Sequence, residues 1–239
     1  MPEAKPLANQ VALITGGSRG IGLAIARRLG QMGARVALCA RNADALQQAV
    51  ASLHADNIKA RGWPADVTHA EQIAGLIERA CQQFGEIDIL VNNAGVGVFG
   101  PAHELSAADW DRVHDTNLKA VFLLSKAVAP QMIARRSGHI INISSLAGKN
   151  TFAGGAIYCA SKWGLQGLTA CMAEDLRQYG IRVSSVCPGS VHTDFSPHDG
   201  KAAERMLQPD DVAHVVAMLV TQSPTSFASE VLLRPTQKP

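Results

Sequence analysis

Apolar positions follow two different periods along this chain. Short unbroken runs rich in Val, Ile, Leu and Ala are typical of strands buried on both faces of a parallel sheet. Between them lie longer stretches in which apolar residues return every three or four positions, as in amphipathic helices. The pattern predicts strands at or within 11–15, 35–40, 59–66, 87–93, 138–144, 181–189 and 230–235. It predicts helices from the first glycine-rich turn through Leu29, and over 42–55, 70–84, 106–136, 156–179 and 209–221.

The order of these elements predicts the fold class. Strands alternate with helices from end to end, and parallel strands joined by helices form an open sheet with helices on both faces. We therefore expect an α/β protein, a single doubly wound Rossmann domain over residues 1–239 with a mostly parallel seven-stranded sheet. Two helical stretches are expected within 106–136, and Pro130 is expected to bend the second.

Composition narrows the function classes. The chain is 47% hydrophobic and 18% charged, so it can bury a large core, and its net charge of +2 includes no clustered basic face for nucleic acid. No apolar run approaches the roughly 18 residues of a membrane span. Five cysteines lie in apolar segments without metal-ligand or disulfide spacing. These features predict a cytoplasmic protein with no bound metal, no nucleic-acid partner and no membrane anchor.

A glycine-rich turn follows the first predicted strand. In "TGGSRGIG", residues 15–22, the glycines allow a tight turn, close approach of a pyrophosphate, and packing of the next helix on the sheet. The helix N-terminus then offers free N–H groups to phosphate oxygens. Because the turn opens a helix at the first strand–helix junction, it predicts a dinucleotide site. Its candidate residues are Gly16, Ser18, Arg19, Gly20, Ile21 and Gly22.

The end of the second strand bears on which dinucleotide is bound. An acidic residue there would favour NAD(H), because it would accept hydrogen bonds from the ribose and repel a 2′-phosphate. This chain has Ala40 followed by Arg41, and Arg19 lies in the glycine turn. Two guanidinium groups suit a phosphate. The sequence therefore favours NADP(H) over NAD(H), the alternative being two solvated surface arginines.

Further motifs follow the later strands. They are "NNAG" (92–95), "NISS" (142–145), "AIYCASKWG" (156–164) and "PGSVHT" (188–193). A tyrosine and a lysine four positions apart on a helix are by themselves common surface packing. Together with the glycine turn and in this order, the motifs resemble the classical short-chain dehydrogenase/reductase family over almost the whole chain.

The resemblance implies a catalytic set. Tyr158 would be the proton donor or acceptor in hydride transfer between a carbonyl and an alcohol. Lys162 would stabilise its phenolate and hold the nicotinamide ribose. Ser145 would bind the substrate oxygen, and Asn117 would hold a water on the proton-relay path.

The resemblance also implies how the cofactor lies. Asp66 and Val67 would face the adenine, and Asn93, Ala94 and Gly95 would line the cleft, together with Tyr158 and Lys162 at the nicotinamide. Beyond them, the nicotinamide end would be held by Pro188, Gly189, Val191 and Thr193, with Thr193 near the carboxamide.

These observations predict an oxidoreductase that transfers a hydride between NADP(H) and a carbonyl or secondary alcohol. The substrate would be a small-molecule carbonyl or an acyl thioester, covered by a short polar lid at about 192–208. Reduction of a 3-oxoacyl group on an acyl carrier protein is the nearest alternative, and a catalytically silent NADP(H)-binding regulator is a remote one. The resemblance further implies a homotetramer or homodimer built on the helices within 106–136 and 156–179.

Overall fold

A single sheet of seven strands forms the centre of the computed structural model, which describes residues 5–195 and 203–237. The strand order is β3-β2-β1-β4-β5-β6-β7, and every described pairing is parallel. The predicted Rossmann-type α/β class is confirmed, with a fully parallel sheet where a mostly parallel one was predicted. The strands are β1 (Val11–Thr15), β2 (Arg35–Ala40), β3 (Ala60–Pro64), β4 (Ile89–Asn92), β5 (Gly138–Ile143), β6 (Ile181–Pro188) and β7 (Glu230–Leu233).

Helices connect consecutive strands and cover both faces of the sheet. Several begin where the sequence supplies a cap: the Asn42 side chain accepts from Ala45 N, and Ser106 and Asp109 form a reciprocal capping box. The helices are α1 (Gly20–Gln31), α2 (Ala43–Ala55), α3 (Ala70–Phe84), α4 (Ala107–His114), α5 (Ala120–Arg135), α6 (Ala156–Arg177) and α7 (Pro209–Val220).

Alternate residues of each strand point to opposite helical layers. On β1, Ala12 and Ile14 pack in the core that includes α1, α2 and α7. Val11 and Leu13 pack in the other core, with α3, α5 and α6. Because both faces are covered, the central strands need apolar residues at every position, which explains the unbroken apolar runs in the sequence.

The topology creates a crevice beside the first strand. From β1 the chain moves outwards through β2 to β3, then returns to pair β4 with the other side of β1. Loops after β1 and β4 therefore diverge at the carboxyl edge of the sheet, and open α/β sheets bind ligands at this switch point.

One interruption departs from the predicted helices. A π-helical turn, Asp115–Lys119, separates α4 from α5 and holds Asn117. The chain stays helical through the turn, so the apolar period of 106–136 gave no signal for it. Pro130 lies inside α5, which continues to Arg135.

Two further points concern the predicted membrane and lid features. No helix within 5–195 or 203–237 is long and apolar enough to cross a membrane. The lid predicted at about 192–208 lies partly outside the described residues, because 196–202 are not described. Its two flanks are joined: His192 N donates to Leu207 O at 2.8 Å, and Leu207 N donates to Ser190 O at 2.9 Å.

Candidate active site

A cleft of about 1350 Å³ opens at the carboxyl edge of the sheet. Almost every residue predicted for the site lines it, although these residues come from seven separate stretches of the chain. Gly22 and Asn117 are the exceptions, and both lie behind its wall. The predicted residues that line it are Gly16, Ser18, Arg19, Gly20, Ile21, Arg41, Asp66, Val67, Asn93, Ala94, Gly95, Ser145, Tyr158, Lys162, Pro188, Gly189, Val191 and Thr193.

The glycine turn has the geometry of a phosphate cradle. Gly16 has φ of +63°, which is strained for residues with a side chain, and a Cβ on Gly22 would lie 2.3 Å from Gly16 O. The N-terminus of α1 has no side-chain cap and no acidic residue in its first turn. Helix α4, by contrast, begins with a capping box. Because α1 has no such cap, the N–H groups of its first turn remain available for a ligand. The turn therefore fits a dinucleotide pyrophosphate.

Asn93 and Thr15 hold the two sides of the crevice together. Asn93 Nδ2 donates to Thr15 O at 2.9 Å and to Gly16 O at 3.2 Å. The backbone N–H groups of Asn93 and Ala94 each donate to Thr15 Oγ1 at 3.0 Å. The "NNAG" motif thus fixes the shape of the glycine turn from the neighbouring strand.

Both arginines predicted for the 2′-phosphate line the cleft. Arg19 Nη1 is 3.2 Å from Asp194 Oδ2, and both side chains are largely exposed. Arg41 follows β2 and lies near Asp66. Burial raises the pKa of Asp66, but hydrogen bonds from Thr68 N and Thr68 Oγ1 outweigh it and, with Arg41, leave the pKa below its ordinary value. Asp66 is therefore an ionised hydrogen-bond acceptor beside a free cation.

Tyr158 lies in the first turn of α6 and lines the cleft, with 9% of its surface exposed. Burial raises the pKa of Tyr158 to about 12, against a lowering contribution from its hydrogen bond with Ser145. Ser145 Oγ also accepts from Ala147 N at 3.1 Å, where it caps a short 3₁₀ turn after β5. The structure thus brings the predicted proton donor and the predicted oxygen-binding hydroxyl together.

Lys162 lies one turn further along α6, and 5% of it is exposed. Its Nζ donates to Ile143 O at 3.0 Å and lies 5.8 Å from the centre of the Tyr158 ring. Burial lowers the pKa of Lys162 to about 8. The ammonium retains further N–H donors that can face a bound ribose.

The side chain of Asn117 is already largely engaged. Its Oδ1 accepts from Val96 N at 2.8 Å, and its Nδ2 donates to Val96 O at 2.9 Å and to Ser161 Oγ at 3.1 Å. An amide has two N–H groups and two acceptor positions, so one acceptor position on Oδ1 is left for a water. The predicted relay role stays a prediction, and the observed contacts show Asn117 holding the loop after β4 against α6.

The "PGSVHT" segment forms a further wall of the cleft. Gly189 N donates to Leu233 O at 2.8 Å, which ties the end of β6 to β7. Thr193 lies against the glycine turn, where a Cβ on Gly20 would be 3.4 Å from Thr193 Cγ2. Thr193 therefore faces the start of α1 from across the cleft.

Sequence reasoning missed two features of the site. Ser144 lines the cleft, yet its hydroxyl is buried without a hydrogen-bond partner, which marks it as a further candidate contact for a bound cofactor. Phe99, Phe152 and Phe195 line the cleft beside Tyr158. A buried lone serine beside the predicted one carries no pattern of its own, and the phenylalanines belong to different loops.

Comparison with known proteins agrees with this geometry. Residues 10–204 match the family described as short chain dehydrogenase. The chain belongs to this family. It is 34% identical over 229 residues to an uncharacterised oxidoreductase of Staphylococcus aureus, covering 96% of this chain and 98% of the relative.

Two solved structures are similar over nearly the whole chain. A metagenomic short-chain oxidoreductase in complex with NADP has a TM-score of 0.87 and 49% identity, with 98% of this chain and 100% of that chain covered. A variant of actinorhodin polyketide ketoreductase with NADPH has a TM-score of 0.89 and 34% identity, with 97% of each chain covered. Membership of the family makes the protein an oxidoreductase, as the motifs predicted.

Proposed function

We propose that the protein reduces a carbonyl group to an alcohol, or catalyses the reverse reaction, with NADP(H) as the hydride donor or acceptor. The observation that carries the proposal is the meeting of Tyr158, Ser145 and Lys162 at the wall of a dinucleotide-sized cleft. The cofactor is NADP(H), in agreement with the two similar solved structures and with the two arginines that line the cleft.

The cofactor supplies the hydride when it is bound, and the residues of the chain manage the substrate oxygen. Tyr158, whose phenol is protonated at neutral pH, protonates that oxygen during reduction. Ser145 donates a hydrogen bond to the same oxygen and polarises the carbonyl. The Lys162 ammonium, which donates a hydrogen bond to Ile143 O, lies close to Tyr158 and stabilises the phenolate that remains after the proton is transferred.

The test is NADPH consumption, followed by absorbance, with a panel of ketones, aldehydes and an acetoacetyl thioester. Tyr158→Phe should lose about 10²- to 10⁴-fold in turnover, the usual size of a general-acid contribution, while NADPH binding measured by fluorescence is retained. The chain has two tyrosines, so Tyr179→Phe is a matched control that should keep full activity. Wild-type-like turnover by Tyr158→Phe would refute the assigned role.

The polyketide ketoreductase similarity keeps a 3-oxoacyl thioester as the second candidate substrate. Faster turnover of the acetoacetyl thioester than of every simple ketone would favour it. NADPH binding without turnover of any carbonyl would instead favour the silent regulator.

We further propose a homo-oligomer built on the outer face of α4, α5 and α6. Phe122 is 46% exposed there, and Trp110 and Trp163 are about half exposed. A shallow groove beside Phe122 is lined by residues of both long helices, including Leu118 and Leu168. Sedimentation should show a dimer or tetramer that Phe122→Glu dissociates, whereas His103→Glu, away from this face, should leave it intact.

A further inference from the structure

Three phenylalanines, Phe99, Phe152 and Phe195, form what we name the phenylalanine rim at the substrate end of the cleft. All three line the cleft, and between 42% and 50% of each side chain is exposed. The chain has six phenylalanines, so half of them lie at this end of the cleft, two of them against the Tyr158 ring. An exposed cluster of large apolar side chains of this kind marks a binding surface.

The rim is continuous with the catalytic tyrosine. The Phe99 ring meets the Tyr158 ring edge-on with centroids 5.4 Å apart, and the Phe195 ring lies 5.8 Å from the Tyr158 ring on a tilt. Phe152 extends the arc, 6.1 Å from Phe99. These separations fall in the range of favourable aromatic pairs, so a further ring placed beside Tyr158 would meet aromatic edges and faces.

The rim rests on closely packed backbone. A Cβ on Gly97 would lie 2.7 Å from the Phe99 ring and 3.2 Å from the Phe195 ring, and one on Gly155 would lie 2.7 Å from the Phe152 ring. Gly100 N donates to Gly154 O at 2.9 Å, which joins the two loops that carry Phe99 and Phe152. The rings are therefore held in place before a substrate arrives, which lowers the entropy lost on binding.

The charged residues of the cleft lie outside the rings of the rim. Besides Lys162, among the described lining residues, Arg41 lies near Asp66, Arg19 pairs with Asp194 next to Phe195, and Arg234 follows β7. Lys149, three residues before Phe152, is paired with Glu230 at 2.7 Å. The rim itself thus offers aromatic surface, which suits a flat apolar group.

We infer that the substrate is an aryl carbonyl, a ketone or aldehyde whose aromatic ring packs against the phenylalanine rim while its oxygen reaches the Tyr158 hydroxyl. This inference rests on the proposed function and names its substrate class. In the reaction the carbonyl carbon gains the hydride of NADPH, the oxygen gains the Tyr158 proton, and the products are an aryl carbinol and NADP⁺.

The experiment compares acetophenone with cyclohexyl methyl ketone, which has the same carbon skeleton but a non-planar ring. The quantity measured is the ratio of kcat/KM for the two ketones, in wild type and in Phe99→Leu, Phe152→Leu and Phe84→Leu. Leucine keeps apolar bulk and removes the aromatic ring, and Phe84, which packs against Trp63 outside the cleft, is the matched control. NADPH binding by fluorescence checks that each variant retains the cofactor site.

We expect each rim variant to lower the acetophenone preference by about three- to tenfold, the range that aromatic pairing adds beyond area burial. Phe84→Leu should leave the ratio unchanged. Turnover that depends on Tyr158 but shows a ratio unaffected by the rim variants would overturn the aryl assignment and leave the proposed function standing. Absence of turnover with every carbonyl, despite NADPH binding, would overturn both.

Discussion

The buried His139 leads us to expect that the free energy of unfolding falls at acidic pH. It is 2% exposed on β5, and its Nε2 lies 2.9 Å from Ser184 Oγ. The Ser184 hydroxyl gives its hydrogen to Ala228 O at 2.7 Å, so His139 Nε2 must be the donor in the first contact. His139 Nδ1 is then an unprotonated nitrogen, buried without a hydrogen-bond partner. Protonation would place a new charge at that buried position.

Burial lowers the pKa of His139 to about 3, and the nearby Arg182 charge acts in the same direction. In the unfolded chain the pKa of this histidine is about 6.5. As the pH falls below that value, the unfolded state binds a proton that the folded state does not bind. Stability is therefore lost from about pH 6.5 downwards, until the folded pKa near 3 is reached. At pH 5, about 1.5 units below the unfolded pKa, the loss from this one group is about 2 kcal/mol.

The measurement is urea unfolding followed by tryptophan fluorescence at pH 7, 6 and 5. His139→Gln keeps a donor for Ser184 but cannot be protonated, so its free energy of unfolding should fall by about 2 kcal/mol less than that of wild type over this range. His103→Gln, at an exposed histidine, should follow wild type. If His139→Gln and wild type lose the same free energy between pH 7 and 5, the reasoning about His139 is wrong.

Three further outcomes follow from the cleft and its helices. Gly22→Ala should weaken NADPH binding by at least about tenfold in a fluorescence titration, because its Cβ would lie 2.3 Å from Gly16 O. Gly167→Ala, where a Cβ meets nothing within 4 Å on α6, should leave binding unchanged and raise the free energy of unfolding by up to about 1 kcal/mol. Asp194→Asn should tighten NADPH binding by up to about fivefold and leave NADH binding unchanged, because the substitution frees Arg19 for the 2′-phosphate. Equal effects on the binding of both cofactors would contradict this.

Much of the fold could be predicted from local sequence patterns, because residues that face the core must be apolar at the period of their strand or helix. Strands β1 and β2 and helix α3 have the predicted bounds, since a run buried on both faces or on one helical stripe carries its own period. The glycine turn, Tyr158 and Lys162 could be located because their chemistry depends on spacing within one element. The right-handed crossover rule limits how the strands can be connected, but the strand order that brings these residues together was observed only in the structure.

Other features depend on contacts between distant segments and left no local trace. The π-turn at Asp115–Lys119 keeps a helical period, so the contact of Asn117 with Val96 could not be predicted from the local pattern. The contact of Arg19 with Asp194 joins residues 175 positions apart. The phenylalanine rim collects rings from three loops, and single exposed phenylalanines are ordinary in a sequence until the fold places them side by side.

The protonation states in the cleft suit proton transfer to a carbonyl oxygen near neutral pH. Burial raises the pKa of Tyr158 to about 12, so the phenol holds the proton that reduction transfers. Burial lowers the pKa of Lys162 to about 8, so at neutral pH most of the lysine still carries the charge that would stabilise the phenolate once it forms. Exclusion of water from Tyr158 and Lys162 is the main cause of both pKa shifts. The phenylalanine rim is the apolar surface beside them that a bound substrate would cover. An apolar aryl group on the carbonyl would complete that exclusion of water, and in doing so would strengthen the attraction between Lys162 and the new phenolate.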